Sequence, residues 1–275
     1  MSLFDAFRYD GKQVLVVGGA TGMGAAAAEL ARDAGAEVVV MDFAEVTLDG
    51  VKAIHVNLGD KESINKAVDE CGGPIHALMS CAGVADGTPN IEKINFGGHR
   101  HLIERLLEKD MLPRGSSIGF ISSAAGLGWE AGWEQVKEYL ATPDFDSASA
   151  WAIEHNWNDY FHSKQAVCGY VASQAFPLLK KGIRINAICP GPTDTPLAQA
   201  NAEMWLGFGA DYREETGIEA STPLEQAYPL IFLCSDAAAA ISGITLISDV
   251  GYISSGITGS YEPASAAAGF LLGKL

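Results

Sequence analysis

A tyrosine and a lysine four residues apart, Tyr160 and Lys164, are the residues of this sequence best suited to acid–base chemistry. This spacing places both side chains on one face of a helix. A phenol has a pKa of about 10 and is a poor base at neutral pH, but a neighbouring ammonium stabilises the phenolate and lowers that pKa. Tyr160 could therefore exchange a proton with an alcohol or a ketone. The pattern is also common by chance, and a solvated helix face would explain it.

Two serines, Ser122 and Ser123, stand at the end of a predicted strand upstream of the tyrosine. A serine hydroxyl beside Tyr160 could hold a carbonyl oxygen and the charge that develops on it. Serine, tyrosine and lysine together indicate chemistry at a C–OH or C=O group.

A glycine-rich turn between the first predicted strand and a helix offers a place for a phosphate. It reads Gly18-Gly19-Ala20-Thr21-Gly22-Met23-Gly24. Glycines permit the tight turn, and the helix start presents free N–H groups and a positive dipole end to an anion. An ordinary strand–helix turn is the alternative, but the position in the first βαβ unit favours a dinucleotide pyrophosphate.

The second predicted strand ends in Asp42, eighteen residues after Gly24. A carboxylate there accepts hydrogen bonds from ribose hydroxyls and repels a 2′-phosphate. No basic residue stands at Thr21 or Phe43 to hold such a phosphate. The sequence therefore predicts NAD rather than NADP, unless Asp42 is merely a turn residue that closes the strand.

Short β-branched segments alternate with segments of helical period along the chain, which predicts a parallel sheet covered by helices on both faces. The predicted strands are Gln13–Val17, Glu37–Met41, Ala53–Val56, Ile75–Met79, Ser117–Ser122, Ile183–Ile188 and Thr245–Ser248. The predicted helices are Gly24–Asp33, Lys61–Glu70, Gly97–Asp110, Tyr160–Leu179 and Leu224–Leu233. We expect one α/β domain over residues 1–275, a doubly wound Rossmann fold of about seven strands.

Composition excludes several classes of protein. Of 275 residues, 48% are hydrophobic, which suits a sizeable core, and the net charge of −16 argues against nucleic acid or an anionic membrane as a partner. The five cysteines include no CxxC, so free thiols are expected and no metal site is predicted. His99 and His101 are two residues apart, so they point to different faces of a helix that we expect to be exposed, which argues against a metal site there.

The first residues show no signal peptide, and no apolar segment is long enough to span a membrane. We therefore expect a cytoplasmic protein.

Several motifs in order resemble those of the short-chain dehydrogenases/reductases, from about residue 11 to 251. They are Gly18-x-x-x-Gly22-x-Gly24, Cys81-Ala82-Gly83, Asn95, Ser123, Tyr160-x-x-x-Lys164 and Pro190-Gly191. The resemblance implies a catalytic tetrad in which Tyr160 is the acid/base and Ser123 orients the substrate. Lys164 would also bind the nicotinamide ribose, and Asn95 would hold a water that links Lys164 to solvent. The implied cofactor-binding positions are Gly18, Thr21, Gly22, Met23, Gly24, Asp42, Phe43, Asn57, Leu58, Cys81, Ala82, Gly83, Tyr160, Lys164, Pro190, Gly191, Thr193 and Thr195.

The chain departs from that family in three places. The usual Asn-Asn-Ala-Gly reads Ser80-Cys81-Ala82-Gly83, and the short stretch from Gly83 to Asn95 predicts the loss of one helix. About three dozen residues separate Ser123 from Tyr160, more than in most members. A similar insertion is seen in a subgroup that resembles the bacterial 3α-hydroxysteroid dehydrogenase/carbonyl reductases and coniferyl-alcohol-type dehydrogenases.

Four of the five tryptophans, Trp129, Trp133, Trp151 and Trp157, lie in this insertion, residues 126–158. Helical spacing of its apolar residues predicts two short helices. The insertion joins two catalytic residues, so its aromatic side chains could wall a pocket for a bulky apolar substrate, a steroid-like or aryl secondary alcohol or ketone. Alternatively, the tryptophans only attach the insertion to the body of the domain. Residues 197–217 resemble the substrate-binding loop, and the tail, 252–275, could cover the site or reach a partner subunit.

Two other functions remain open at this point. A nucleotide-sugar epimerase or dehydratase also uses Tyr and Lys beside NAD, although the glycine spacing and the length of the C-terminal region differ. A non-catalytic NAD-binding sensor is the second, although such proteins commonly lose the Tyr or the Lys. The resemblance also implies a homodimer or a homotetramer.

Overall fold

A parallel sheet forms the centre of the computed structural model. The structure describes residues 2–274. Met1, the first residue of the predicted domain, and Leu275, the last residue of the predicted tail, lie outside the described residues. The seven strands of the sheet are β1 Gln13–Val17, β2 Glu37–Asp42, β3 Lys52–His55, β4 Ala77–Ser80, β5 Ser117–Ile121, β6 Arg184–Pro190 and β7 Thr245–Ser248. They are ordered β3-β2-β1-β4-β5-β6-β7, and every pairing is parallel. The predicted doubly wound α/β fold is confirmed.

Helices cover both faces of the sheet. They are α1 Gly22–Asp33, α2 Lys61–Cys71, α3 Gly98–Glu108, α4 Trp133–Leu140, α5 Phe145–Glu154, α6 Tyr160–Lys180, α7 Pro196–Gln199, α8 Ala202–Trp205, α9 Ala210–Thr216, α10 Pro223–Cys234, α11 Tyr252–Thr258 and α12 Ser265–Leu271. Short 3-10 turns occupy Phe4–Phe7, Ala124–Glu130, Asp236–Ala238 and Glu262–Ala264, and a π-helical turn, Lys93–Gly97, leads into α3. Within residues 2–274, no helix combines the length and the apolarity needed to cross a bilayer.

The strands are apolar on both sides because each side packs against helices. Leu15 and Val17 of β1 join a core cluster with α2, α3 and α6, whereas Val14 and Val16 join a second cluster with α1 and α10. Successive side chains of a strand point to opposite faces, so one buried strand serves both layers.

The chain reverses its direction of travel across the sheet at β1. It proceeds outward from β1 to β2 and β3, and then returns to place β4 on the other side of β1. Val17 pairs with Ser80 in register, so the loops after β1 and β4 leave the sheet side by side. Such a switch point opens a crevice at the carboxyl ends of the strands, where ligands bind in open α/β sheets.

The insertion before Tyr160 folds into the predicted pair of short helices, α4 and α5, after the 3-10 turn. Val136 of α4 packs so closely on α6 that a Cβ added at Gly169 would lie 2.4 Å from its Cγ1. Gly169 is nine residues after Tyr160, which is roughly 13 Å along a helix. The insertion therefore lies against the middle of α6 and not only at the end that carries Tyr160.

Candidate functional site

The turn after β1 is built for close approach of backbone. Gly18 has a φ of +86°, and a Cβ there would lie 2.3 Å from the backbone nitrogen of Ala82, in the loop after β4. A Cβ at Gly24 would lie 1.9 Å from the carbonyl oxygen of Gly18. Only glycine fits at these two positions, and the tight turn leaves the N-terminus of α1 open toward the crevice.

Asp42 ends β2 and faces this turn. Its Oδ2 accepts a hydrogen bond from the backbone N–H of Ala20, and its Oδ1 accepts one from that of Ala44, each at 2.8 Å. The carboxylate is half-buried at the rim of the crevice, where it retains lone pairs for further donors. Phe43, beside it, is exposed and its ring lies 5.3 Å from that of His55.

A groove of about 480 Å³ runs along the carboxyl ends of these strands. Of the predicted cofactor-binding residues, it is lined by Gly18, Thr21, Gly22, Met23, Gly24, Asp42, Phe43, Asn57, Leu58, Cys81, Ala82, Gly83 and Thr195. The remaining ones, Tyr160, Lys164, Pro190, Gly191 and Thr193, line a second cavity of about 410 Å³. Met23, Cys81, Gly83 and Thr195 border both cavities, so the groove continues directly into the second cavity, which we call the cleft.

Tyr160 is the first residue of α6, and its position is held by two carboxylates. Asp159 caps the helix by accepting a hydrogen bond from the N–H of His162 at 2.8 Å. Asp86, in the loop after β4, accepts one from the N–H of Tyr160 itself at 2.7 Å. These bonds satisfy N–H groups that a helix start leaves without partners.

Lys164 lies one turn further along α6 and points to the same side as Tyr160, with its Nζ 5.4 Å from the centre of the Tyr160 ring. The ammonium is buried and donates a hydrogen bond to the carbonyl oxygen of Ile121 at 3.1 Å. Burial lowers the pKa of Lys164 to about 8. Burial also raises the pKa of Tyr160 to about 12, while the neighbouring Ser123 hydroxyl acts in the opposite direction and the charge of Asp86 adds to the rise.

The two serines after β5 have different environments. Ser122 is buried, and its hydroxyl donates a hydrogen bond to the carbonyl oxygen of Lys164 at 3.0 Å. Ser123 is half-buried and lines the cleft, where its hydroxyl accepts a hydrogen bond from the N–H of Ala125 and keeps its own proton free to donate. The structure thus favours Ser123 over Ser122 as the residue that meets a substrate oxygen.

Asn95 lies in the π-helical turn and is almost fully buried. Its side chain exchanges hydrogen bonds with the backbone of Val84, at 2.8 and 3.0 Å, and donates to the Ser163 hydroxyl at 3.1 Å. A Cβ added at Gly83 would lie 3.5 Å from the Asn95 Oδ1 and 3.4 Å from the Lys164 Nζ, so both groups border the same glycine. As predicted, residues 83–90 form no helix.

Comparison with known proteins agrees with this geometry. The family model described as short chain dehydrogenase matches residues 12–142, and the one described as enoyl-(acyl carrier protein) reductase matches residues 144–253. Short-chain dehydrogenase reductase 5 of Arabidopsis thaliana is 30% identical, with 89% of this chain and 95% of the relative covered. The chain is a short-chain dehydrogenase/reductase. It belongs to an oxidoreductase family that binds a nicotinamide cofactor.

Individual relatives carry more specific names. A coniferyl-alcohol dehydrogenase of a Pseudomonas species is 29% identical, over 88% of this chain and 97% of the relative. A 3-alpha-hydroxysteroid dehydrogenase/carbonyl reductase of Comamonas testosteroni is 29% identical, over 86% and 95%. Among solved structures, a 3-alpha-hydroxysteroid dehydrogenase from Pseudomonas sp. B-0831 complexed with NADH superposes with a TM-score of 0.72 at 26% identity, covering 91% of this chain and 99% of that one.

The cleft of this short-chain dehydrogenase/reductase is walled mainly by apolar side chains from two segments. From residues 197–217 come Leu197, Ala198, Met204, Trp205 and Phe208, and from the tail come Ala267, Phe270 and Leu271. The Trp205 ring lies 4.8 Å from that of Tyr160, and Phe270 lies 5.7 Å from Phe161. The tail therefore covers the site of its own chain, one of the two placements that the sequence left open.

Of the two roles left open for the tryptophans of the insertion, the structure supports attachment to the body of the domain. Trp129, Trp133, Trp151 and Trp157 are absent from the described lining of the cleft and pack into the core instead. Trp157, 4% exposed, lies 5.3 Å from Trp151 and 4.7 Å from His162. These tryptophans attach the insertion to the domain because they bury large apolar rings against α6 and each other.

The expectation that the helix carrying His99 and His101 is exposed is wrong. Both side chains are buried. The ring centre of His99 lies 5.9 Å from that of Phe120 in β5, and the ring centre of His101 lies 5.7 Å from that of Phe145 in α5 of the insertion. His99 donates from Nε2 to the carbonyl oxygen of Ala82 at 3.0 Å, and burial lowers its pKa to about 4. A neutral His99 thus supports the loop that borders the groove.

Sequence reasoning missed Asp86 and Phe270 as side chains of the cleft. Asp86 stands three residues after Gly83, at the carboxyl end of a strand where polar residues meet the site in parallel sheets, so a signal existed. Phe270 offered no such signal, since nothing local in the tail specifies where α12 packs.

Proposed function

We propose that this protein interconverts a hydrophobic secondary alcohol and its ketone, using NAD(H) as the hydride carrier and Tyr160 as the general acid/base. The observation that carries the proposal is the convergence of Tyr160, Ser123 and Lys164 at the junction between the groove and an apolar cleft. Oxidation of an alcohol removes a hydride from its carbon and a proton from its oxygen in different directions. At this junction the groove would hold the hydride acceptor on one side, and Tyr160 would take the proton on the other.

The residues of the groove fit a dinucleotide. A side chain at Gly18 would collide with the backbone of Ala82, and one at Gly24 would collide with the carbonyl of Gly18, so these glycines keep the turn tight. The start of α1 behind this turn offers N–H groups to a pyrophosphate. Asp42 would accept hydrogen bonds from the adenosine ribose and oppose a 2′-phosphate. When bound, the nicotinamide accepts the hydride from the alcohol carbon or returns it to the ketone carbon.

The side chains of the protein manage the proton. In oxidation, Tyr160 Oη as phenolate takes the proton of the alcohol while the Ser123 hydroxyl donates a hydrogen bond to the same oxygen. In reduction, the Tyr160 phenol returns that proton to the carbonyl oxygen. The Lys164 ammonium, held by the carbonyl of Ile121, stabilises the phenolate and would bind the nicotinamide ribose.

The direction of the pH dependence follows from these roles. Burial keeps Tyr160 protonated in the free site, with a pKa of about 12. Oxidation needs the phenolate, so its rate should rise with pH, whereas reduction needs the phenol, which stays protonated well below this pKa, so its rate should change little. Initial rates in both directions between pH 6 and 8, where Lys164 with its pKa of about 8 keeps its ammonium, would check this, and an oxidation rate that falls with pH would contradict the role of Tyr160.

The substrate proposal rests on the apolar walls of the cleft, with Trp205, Phe208 and Phe270 among them. Relatives named for a hydroxysteroid and for coniferyl alcohol support a ring-bearing substrate. The choice of NAD over NADP rests on Asp42.

The test is the formation of NADH or NADPH with steroid, aryl and small aliphatic alcohols. We expect turnover with NAD⁺, the highest kcat/KM for ring-bearing alcohols, and a loss of about 10²- to 10⁴-fold in Tyr160→Phe, the range for removal of a general acid/base. Asp42→Asn should lower the ratio of kcat/KM with NAD⁺ to kcat/KM with NADP⁺. A preference of the wild type for NADP⁺ would refute the role of Asp42, and binding of NAD⁺ without any turnover would favour a non-catalytic sensor.

A further inference from the structure

Asp86 brings a carboxylate to the cleft beside the proposed acid/base. Its Oδ1 accepts the 2.7 Å hydrogen bond from the N–H of Tyr160, the first N–H of α6, which has no partner within the helix. Asp86 thus holds the loop of residues 83–90 against the start of α6. The same bond fixes a negative charge next to Tyr160.

The charges of the cleft are separated along its depth. Of the side chains that line it within residues 2–274, Asp86 and Lys164 carry charge. Lys164 is 4% exposed and its ammonium is engaged with Ile121 at the closed end, whereas Asp86 is exposed at the mouth. Most other lining residues are apolar, and of the lining residues within 2–274 Lys164 is the one cation, so Asp86 meets no lining cation at the mouth.

The charge of Asp86 acts on the atoms of a substrate that lie away from its reacting C–OH or C=O group. An alcohol whose oxygen meets Tyr160 Oη places its remaining atoms in the apolar part of the cleft, whose lining includes Asp86. A tyrosine side chain is shorter than the screening length of about 8 Å at physiological ionic strength, so the charge at its backbone reaches these atoms. A carboxylate or phosphate there meets a like charge beside apolar walls, where the repulsion is stronger than in bulk water.

We propose that Asp86 is a specificity-determining residue that selects against alcohols bearing a second, anionic group and admits neutral or cationic ones. The inference rests on the proposed function, because it concerns the substrate of the same Tyr160. It narrows the hydrophobic alcohol of that proposal to one without a carboxylate or phosphate on its distal end.

Two substitutions separate the charge of Asp86 from its hydrogen bond. Asp86→Asn keeps an oxygen acceptor for the N–H of Tyr160 and removes the charge, and Asp86→Ala removes both. Asp146→Asn is the matched control, since Asp146 is an exposed carboxylate in the first turn of α5 and lies outside the described lining of the cleft.

The experiment compares kcat/KM for 4-hydroxycyclohexanecarboxylate with that for 4-hydroxycyclohexanecarboxamide, which differ in charge and little in shape. We expect the wild type to prefer the amide, and the amide-to-carboxylate ratio to fall about fivefold in both Asp86 variants, as for an exposed charge pair. Asp146→Asn should keep the wild-type ratio, and added salt should reduce that ratio. The charge of Asp86 also raises the pKa of Tyr160, but both substrates share this effect, so it cancels in the ratio. An unchanged ratio in both Asp86 variants would overturn the proposal.

A binding measurement keeps this inference distinct from the proposed function. If the wild type oxidises neither alcohol, the proposed activity fails for this substrate class, and calorimetric titration with cyclohexanecarboxylate and cyclohexanecarboxamide decides the role of Asp86. The same shift in the ratio of dissociation constants between wild type and Asp86→Asn supports the selection. Equal ratios in the two proteins refute it, whatever the enzyme catalyses.

Discussion

Two regions of the molecule are rich in large apolar side chains but pack in different places. One is the insertion, residues 126–158. The other consists of the two segments that wall the cleft, residues 197–217 and the tail. The insertion joins Ser123 to Tyr160, and its tryptophans nevertheless pack into the core with Tyr139 and α6. The loop and the tail are distant in sequence from Tyr160, and Trp205 and Phe270 come to the cleft. Proximity along the chain to Ser123 and Tyr160 therefore did not predict which segments line the cleft.

Tethers on the insertion show what it does instead. Ser149 of α5 donates a hydrogen bond to buried Glu92 at 2.6 Å, and Arg100 of α3 donates to the hydroxyl and carbonyl of Thr142, at 3.1 and 2.7 Å. Glu92 directly precedes the π-helical turn that carries Asn95. The insertion thus covers the π-helical turn and α3, whereas the loop and the tail form a smaller cluster of their own around Tyr252 and Leu271.

Of the substitutions that compare these two regions, truncation of a tryptophan in the insertion should have the largest effect. That effect should be a loss of stability. Trp157→Ala removes a ring that is 4% exposed and should lower the free energy of unfolding by about 3–5 kcal/mol, while kcat/KM of the folded enzyme stays within about threefold. Denaturant unfolding followed by circular dichroism, with kcat/KM measured in parallel, checks this. A loss of activity toward bulky alcohols alone would restore the substrate-wall hypothesis.

The same truncation in the loop should give the opposite result. Trp205→Ala removes a half-buried ring beside Tyr160 and should cost about 1.5–3 kcal/mol of substrate burial, or roughly 10- to 100-fold in kcat/KM for ring-bearing alcohols. Stability should change by less than about 1 kcal/mol, as for a surface position. If kcat/KM for small aliphatic alcohols fell as much as kcat/KM for large ones, Trp205 would act on Tyr160 rather than on the substrate.

Removal of the Ser149 hydroxyl tests the tether between insertion and body. Ser149→Ala leaves the Glu92 carboxylate buried without its hydrogen bond and should destabilise the fold by about 1–3 kcal/mol. Chemical denaturation measures the loss. Because Asp146 is exposed on the same helix, Asp146→Asn should stay near the wild-type stability, and an equal loss in the two variants would mean that α5 is generally fragile.

The smallest effect should come from the tail. The Phe270 ring is 62% exposed, so Phe270→Ala should raise KM for large alcohols only a few-fold, by about 1 kcal/mol or less, with kcat unchanged. Steady-state kinetics with alcohols of graded size would detect it. An unchanged KM for every alcohol would exclude the tail from substrate binding and leave the cleft to the loop alone.

The central sheet could be predicted from the sequence because each strand is a short apolar segment bounded by turn residues. Gln13–Val17 and Thr245–Ser248 match the structure at both ends, and the other strands shift by one or two residues at their ends. The strand predicted to start at Ile75 starts at Ala77, since the N–H of Ile75 bonds to Met111 outside the sheet. The burial of His101 could not be predicted, because it depends on which helix the insertion covers.

The sequence by itself determined the groove and the place of the proposed reacting groups of this short-chain dehydrogenase/reductase. Gly18 follows β1, Asp42 ends β2, Ser123 follows β5, and Tyr160 begins the helix that leads from β5 to β6. The carboxyl ends of parallel strands meet at one edge, so the order of motifs is enough to bring these residues together. Only the tertiary structure decided what walls the cleft. The insertion, the loop and the tail each present apolar faces that could cover several surfaces, and the choice depends on shape and burial between segments far apart in the chain, which local spacing does not encode.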